Sequence, residues 1–444
     1  MAILSKEEAK KILEKVISFS KADGCTVSLN GNDRGNIRYA RNSVSTAGEN
    51  SNIVLGVQSY FGKKSGSATI NEFDDASLEK VVRRAEELAK LAPENPEFME
   101  PLPQQNYGPE SKTFSDATAK ITPEYRAQAA ADSINPAAAK EITAAGYLED
   151  SRGFSAMMTS KGLFAYNKST NVDFTVTMRT NDGTGSGWAA ADLNDVSKLN
   201  AADVSKIAID KSLMSRNAKA IEPGKYTVIL EPSAGADLIR LMLNMNARQA
   251  DEGRSFLSKK GGGTKLGEKL VDERVNIYTD PWHEEVPASP WTGDGLARKK
   301  MDLIRNGTVA NLIYDRYWAS QKNVEPVPFP GNAIMDGGNA SLEDMIKDTK
   351  KGVLVTRFWY IRPVDPQTLL YTGLTRDGTF YIENGKIKHP IKNFRFNESP
   401  IIMLNNLETL GQQKRAVTSE GGTALYIPYM KIRDFTFSSL SDAV

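Results

Sequence analysis

One order of sequence patterns occurs twice in the first half of the chain, and that repeat limits the available folds more than any single motif does. The first copy opens on Ser5-Lys6-Glu7-Glu8, a serine with a glutamate three residues on, the pattern of a capping box. Ala9, Ile12, Leu13, Val16 and Ile17 then recur at helical spacing, and Gly24 follows as a stop. Strand patterns come next at 26–29, 37–41 and 53–61. The glycine-flanked segment 62–66 reads as a hairpin turn, and 67–70 as the returning strand. Asp75 is placed to cap a second helix whose apolar face is Leu78, Val81, Val82, Ala85 and Leu88. The second copy repeats this order. It has a helix over about 123–140, strands near 142–148, 155–159, 163–167 and 174–179, and a helix near 202–215. Residues 169–180 stand where 51–60 stand in the first copy.

The fold class this predicts is α+β. A duplicated helix–β-meander–helix domain over 1–220 (copies at about 1–92 and 114–220) precedes a β-rich domain over 221–444. Pro93, Pro96, Pro101, Pro103 and Pro109 mark a linker over 93–113. Beyond Ile221-Glu222-Pro223-Gly224, the segment 226–230 is a strand by its β-branched content. A helix over about 342–350 and strands at 353–359 and 379–382 follow. Asn384-Gly385 is a type I′ turn signal into 386–389, and 417–437 holds the last strands.

With 444 residues the chain is long enough for two or three domains. Its 56 Lys+Arg balance 55 Asp+Glu, so it offers no electrostatic reason to expect nucleic acid or an anionic membrane as a partner. Cys25 is the only cysteine, so no intrachain disulfide forms. No stretch reaches the ~18 apolar residues of a membrane span, and the start lacks a signal-length apolar segment. These features predict a cytoplasmic chain.

Familiar chemistries fail one by one. The chain has only two histidines, His283 and His389, and no pair at the helical spacing of a zinc site. Both read as surface positions, and Cys25 as a small core residue. No Gly-x-Ser-x-Gly elbow is present. The segment 262–269 misses the phosphate-loop pattern, because Glu268 separates Gly267 from Lys269. The glycine-rich 183–187 lies on a hairpin. No catalytic residue, metal ligand or cofactor is assigned.

Residues 238–255 read as a helix started by Pro232-Ser233, with Asp237 in its first turn. Leu238, Leu241, Met242 and Met245 form one apolar face, and Asn244, Arg248 and Asp251 another row.

The second half resembles the TldD/PmbA family, whose members also carry the name modulator of DNA gyrase. The likeness runs through 226–235, Leu266-Gly267-Glu268-Lys269-Leu270, Ile304-Arg305-Asn306-Gly307, 341–346 and 352–356, and it is most distinctive at 380–387. The resemblance implies an intracellular peptide-processing metalloprotease. Its TldD-type subunit carries His-Glu-x-x-x-His on the helix that matches 240–245, and a third ligand, a cysteine, before a Gly-x-Glu-Gly segment. Here Arg240 to Met245 contain neither histidine nor the glutamate. Val417 takes the cysteine position, within Val417-Thr418-Ser419-Glu420-Gly421. The chain is similar to the PmbA/TldE-like branch, which lacks the motif and pairs with the metal-bearing subunit.

Three functions follow as expectations. In the first, the chain is a metal-free partner of a His-bearing TldD-type subunit and holds an extended peptide. Arg240, Asn244, Arg248, Asp251 and Glu252 are then the groove candidates. In the second, the chain is itself a hydrolase with a carboxylate-held metal, tested most cheaply at Asp251, Glu252 and Glu268. In the third, it is a stand-alone peptide-binding homodimer.

Overall fold

The computed structural model describes residues 3–419 and 424–441. Its first half builds one six-stranded antiparallel sheet. The first copy runs α1 (Lys6–Phe19), β1 (Gly24–Ala40), β2 (Ser43–Phe61), β3 (Lys64–Ile70) and α2 (Asp75–Leu91). The second runs α3 (Pro123–Ala138), β4 (Ile142–Thr159), β5 (Phe164–Thr180), β6 (Ser186–Leu193) and α4 (Ala201–Met214). The sheet order is β3-β2-β1-β4-β5-β6, so the first strand of each copy meets its counterpart at the centre, from Thr26↔Thr159 to Tyr39↔Gly146. The predicted duplication is therefore present, and its two meanders join into one sheet.

Local chemistry starts each element. Ser5 and Glu8 form the capping box of α1, and Thr122 caps α3 before Pro123. The cap of α2 is Asp74, one residue earlier than expected, with its carboxylate accepting the Ser77 N–H at 3.0 Å. Helices cover one face of the sheet. In the first copy Leu13, Val16, Leu29, Leu55 and Val82 share a core; in the second, Tyr39, Leu148, Phe174, Val176 and Ile209 do. Each such large apolar side chain contributes about 1.5–3 kcal/mol on burial. Cys25 lies in the first core, where burial pushes its thiol up to about 11.

The strands are longer than the apolar patterns implied. The pieces 26–29 and 37–41 are parts of β1, and 142–148 and 155–159 are parts of β4. Their polar middles stay in the sheet because both neighbouring strands bond their main chains. Two glycines there answer to close neighbours. A Cβ at Gly31 would lie 2.3 Å from the Phe154 ring, and one at Gly35 would lie 1.9 Å from the Arg126 guanidinium. Arg126 is buried and joins Glu49 of the first copy (2.9 Å) to Asp150 of the second (2.6 Å).

The second half is rich in strands, with short helices. β7 (Gly224–Leu230) is central, with Lys351–Val355 parallel on one side and Ala424–Leu440 antiparallel on the other. Phe358, Phe394, Phe396, Phe435 and Phe437 pack ring to ring beside it, the closest centroids 4.6 Å apart. Asn384 and Gly385 both take positive φ (50° and 75°), the turn their sequence demands.

The long helix expected at 238–255 is two helices, α5 (Pro232–Met242) and α6 (Ala247–Asp251). The chain between them pairs like a strand. Ile313 N–H donates to the Met245 carbonyl at 2.8 Å, and Ala247 N–H to the Ile313 carbonyl at 2.9 Å. Asn246 then caps α6 by accepting the Gln249 N–H. The break separates Asn244 from Arg248 and Asp251, so the expected polar row does not exist. Asp237 stands in the second turn of α5, not the first, and is fully buried. The helix expected over 342–350 stops at Lys347, and the strand expected over 353–359 divides into Lys351–Val355 and Phe358–Asp365.

Candidate functional site

β5 alternates. Val172, Phe174, Val176 and Met178 are buried toward the helices, and Asn171, Asp173, Thr175, Thr177 and Arg179 face the other way. That polar face is the floor of a cleft of about 690 Å³ between the two halves of the chain. Trp188 and Asp192 of β6 extend the floor. Arg357, Trp359, Arg376 and Asp377 form the opposite wall, and Val417, Thr418 and Ser419 close one end.

Arg357 is the pivot of the wall. Its guanidinium lies between the rings of Trp188 (4.1 Å) and Trp359 (4.7 Å), so an indole from each half of the chain stacks on one cation. Its Nη1 donates to Asp377 Oδ2 at 2.7 Å, and Ser186 Oγ donates to Asp377 Oδ1 at 2.6 Å. Burial pulls the Arg357 pKa below the usual arginine value.

Two carboxyl groups here protonate near neutral pH. Asp173 is pushed up to about 6 by burial first, then by Asp192 and Glu149, and its Oδ1 has no hydrogen-bond partner. Asp237 lies behind the 417–419 end, where its Oδ1 accepts the Ser419 N–H at 2.8 Å. Burial pushes it up to about 7. Its Oδ2, Ser419 Oγ, Arg240 Nε and Arg357 Nε are all buried without a hydrogen-bond partner. The two stretches that the resemblance assigns to metal ligation, far apart in sequence, thus meet in space.

The residues there do not fit a divalent metal. Arg240 is a cation 3.8 Å from Asp237, Met245 is buried in the apolar core, and Val417 offers no donor. Among the described residues no group of three His, Cys, Asp or Glu side chains could hold a metal ion. Glu420 and Gly421 of the matching segment lie outside the described residues. His283 packs on Tyr426 and His389 on Tyr381, with three strands of the sheet order between the Tyr426 strand and the His389 strand.

The groove candidates separate. Arg240 lies beside Asp237, behind the cleft. Asn244 is exposed in the break and donates to Gln249. Arg248 clamps Glu97 of the linker through two bonds (3.0 and 2.8 Å) and also binds Glu252, with Trp318 beneath it. Asp251 accepts from Trp318 Nε1 at 2.8 Å and pairs with Lys322. Glu252 is shared by Arg248 and Arg254. Arg248, braced by Glu252, thus clamps the linker, Asp251 holds Trp318 and Lys322 instead, and none of the five lines the cleft. The carboxylates of the alternative site do not converge either, because Glu268 pairs separately with Lys259 at 2.7 Å. The β5 face and the Arg357–Trp359 wall were not singled out from sequence. The signal for the floor is the alternation in Asn-Val-Asp-Phe-Thr-Val-Thr-Met-Arg over 171–179.

A duplicated antiparallel sheet joined to a β-rich half by such a cleft is an architecture with known relatives. Three family models of the PmbA/TldA metallopeptidase type match in order: domain 1 over residues 25–89, the central domain over 109–216 and the C-terminal domain over 223–439. The chain belongs to the PmbA/TldD metallopeptidase family. It is 21% identical to Metalloprotease PmbA of Escherichia coli O157:H7, over 97% of this chain and 98% of that one. A Metalloprotease from Methanothermobacter thermautotrophicus is 24% identical over 60% of this chain and 62% of its own length. TldE from Thermococcus kodakarensis shares the fold with a TM-score of 0.83 at 17% identity, covering 98% of this chain and all of that one. A protein described as a modulator of a DNA gyrase from Thermotoga maritima gives a TM-score of 0.86 at 16% identity, covering 97% of this chain and all of that one. No helix among the described residues is long and apolar enough to cross a membrane.

Proposed function

We propose that this chain is a metal-free subunit of a peptide-processing metalloprotease and works beside a histidine-bearing TldD-type subunit. One observation carries the reading. Where α5 meets 417–419, the chain offers Arg240 and Val417 with a buried Asp237 between two arginines, and Met245 lies beyond the helix in the apolar core, so a ligand set is lacking among the described residues. The cleft is the peptide-holding part. The β5 face presents Asn171, Thr175 and Thr177 between the charged Asp173 and Arg179, a polar strand face that suits an extended main chain. Trp359 and Trp188 supply flat apolar contact at one end.

The test is co-expression with a subunit of the family that carries His-Glu-x-x-x-His. The expected result is a stable complex that cleaves an unstructured fluorogenic peptide, with zinc in the partner only. Trp359→Ala should raise KM roughly tenfold and leave the complex intact. Stoichiometric zinc in this chain alone, or cleavage by it alone, would overturn the reading.

A further inference from the structure

Four buried polar atoms gather without a hydrogen-bond partner at the closed end of the cleft: Arg357 Nε, Arg240 Nε, Ser419 Oγ and Asp237 Oδ2. A folded interior leaves few such atoms unpaired, because each gives up its water for nothing. Four together mark a place that something from outside completes. Two of the side chains are deeply enclosed, Asp237 fully and Arg357 with 9% exposure. Asp237 ties the group together. Its Oδ1 accepts the Ser419 N–H at 2.8 Å, Arg240 Nε lies 3.8 Å from the same oxygen, and the charge of Arg357 is near enough to act on its pKa.

Donors outnumber acceptors there. Arg357 uses Nη1 on Asp377, while its Nε and Nη2 make no hydrogen bond among the described residues. Those two N–H groups lie on one edge of the guanidinium, the edge that grips a carboxylate through two parallel bonds. Trp188 and Trp359 stack on the same guanidinium and fix its plane, so the edge is set before a ligand arrives. Charge agrees with this. Arg240, Arg357 and Arg376 stand against two carboxyl groups, Asp237 and Asp377. On the floor, Asp192 is already held by Arg415, and Arg179 balances Asp173 in sign. Shape sets the last limit. Because Val417, Thr418 and Ser419 close the cleft here, an extended peptide has to end at this point.

We propose that the closed end of the cleft is a carboxylate site, where the Nε–Nη2 edge of Arg357, with Arg240 and Ser419 Oγ beside it, takes the C-terminal carboxylate of a bound peptide. The proposal rests on the reading of the cleft as the peptide-holding part. It gives the peptide a direction, with its C terminus at 417–419 and the preceding residues on the β5 face. The contact is with a group that every peptide carries, so it orients the ligand without reading its side chains.

Isothermal titration of this chain alone tests it, with one short unstructured peptide in three forms: the free acid, the C-terminal amide, and the amide with glutamate as its last residue. The free acid should bind about tenfold tighter than the amide, and the glutamate form should match the amide. Arg357→Lys keeps the charge but lacks the fork, and should bind acid and amide alike. Ser419→Ala should narrow the difference severalfold. Equal binding of acid and amide by the wild type overturns the proposal and leaves the peptide-holding reading in place; that is the result if water alone completes the four atoms. A glutamate form as tight as the free acid overturns the terminal assignment. Binding of none of the three overturns both the proposal and the reading beneath it. If Arg357→Lys does not fold, the wild-type comparison and Ser419→Ala decide.

Discussion

The two copies of the repeat share an element order but treat their long central strands differently. In the first copy residues 43–52 of β2 are small, polar and exposed on both faces, and β3 pairs with β2 only from Leu55 onward, which leaves their outer edge open. In the second, the matching stretch of β5 carries Phe164 and Tyr166, which pack against the first copy's core, while the linker covers its edge. The outward face differs as well. Gly56, Gln58 and Tyr60 are uncharged where β5 has Thr175, Thr177 and Arg179, with Asp173 beside them. Duplication supplied one scaffold twice. The difference shows that its chemistry depends on which side chains stand on the helix-free face and which edge remains open.

The strongest way to break the comparison is to cut the clamp between the copies. Arg126→Met leaves Asp150 buried without its cation and frees Glu49. Chemical denaturation should show a loss of about 3–5 kcal/mol. Next in size is the charged face of the second copy. The pKa of Asp173 is raised in the folded state, so folding favours its protonated form. Stability from this group is present below about pH 4 and is lost as pH rises to about 6. Asp173→Asn should flatten that slope and add roughly 1–2 kcal/mol at pH 8. A substitution of Gln58 on the first copy's face should leave the slope unchanged. Releasing the linker is smaller. Thr113→Val should cost about 1 kcal/mol and speed amide exchange at 164–170. The smallest effect belongs to the open edge: Ala47→Ser should change stability by less than about 0.5 kcal/mol. A large loss there would mean that the edge is packed against something within its own chain.

The helices were legible because their signals are local, as in the Ser5–Glu8 box and the apolar stripe from Leu78 to Leu88. The turn at Asn384-Gly385 was legible for the same reason. The full length of β1 and β4 was not, because residues such as Asn30 to Asn36 belong to a strand only through their neighbours' main chains. The break at 243–246 was hidden for a related reason: Ile313, far along the chain, takes the bonds that a helix would have used. The cleft depended on distance too. Arg357 becomes notable only when Trp188 is brought to 4.1 Å, and Asp237 only when Ser419 reaches it. The groove candidates on 240–252 rested on one continuous helix; without that helix they scatter, and Arg248 turns to the linker.

The central pairing of β1 with β4 also bears on how the chain is made. Synthesis proceeds at roughly 5–20 residues per second, so the ribosome needs on the order of 6–24 s to travel from the end of β1 to the end of β4. During that interval β1 has its hairpin partner β2 but not the strand that fills its other side. The nascent first copy therefore carries a second open edge, with buried-to-be Leu29, Ile37 and Tyr39 along the same strand. Aggregation during expression should begin there, and slower growth temperatures or a bound chaperone should protect this half of the molecule first.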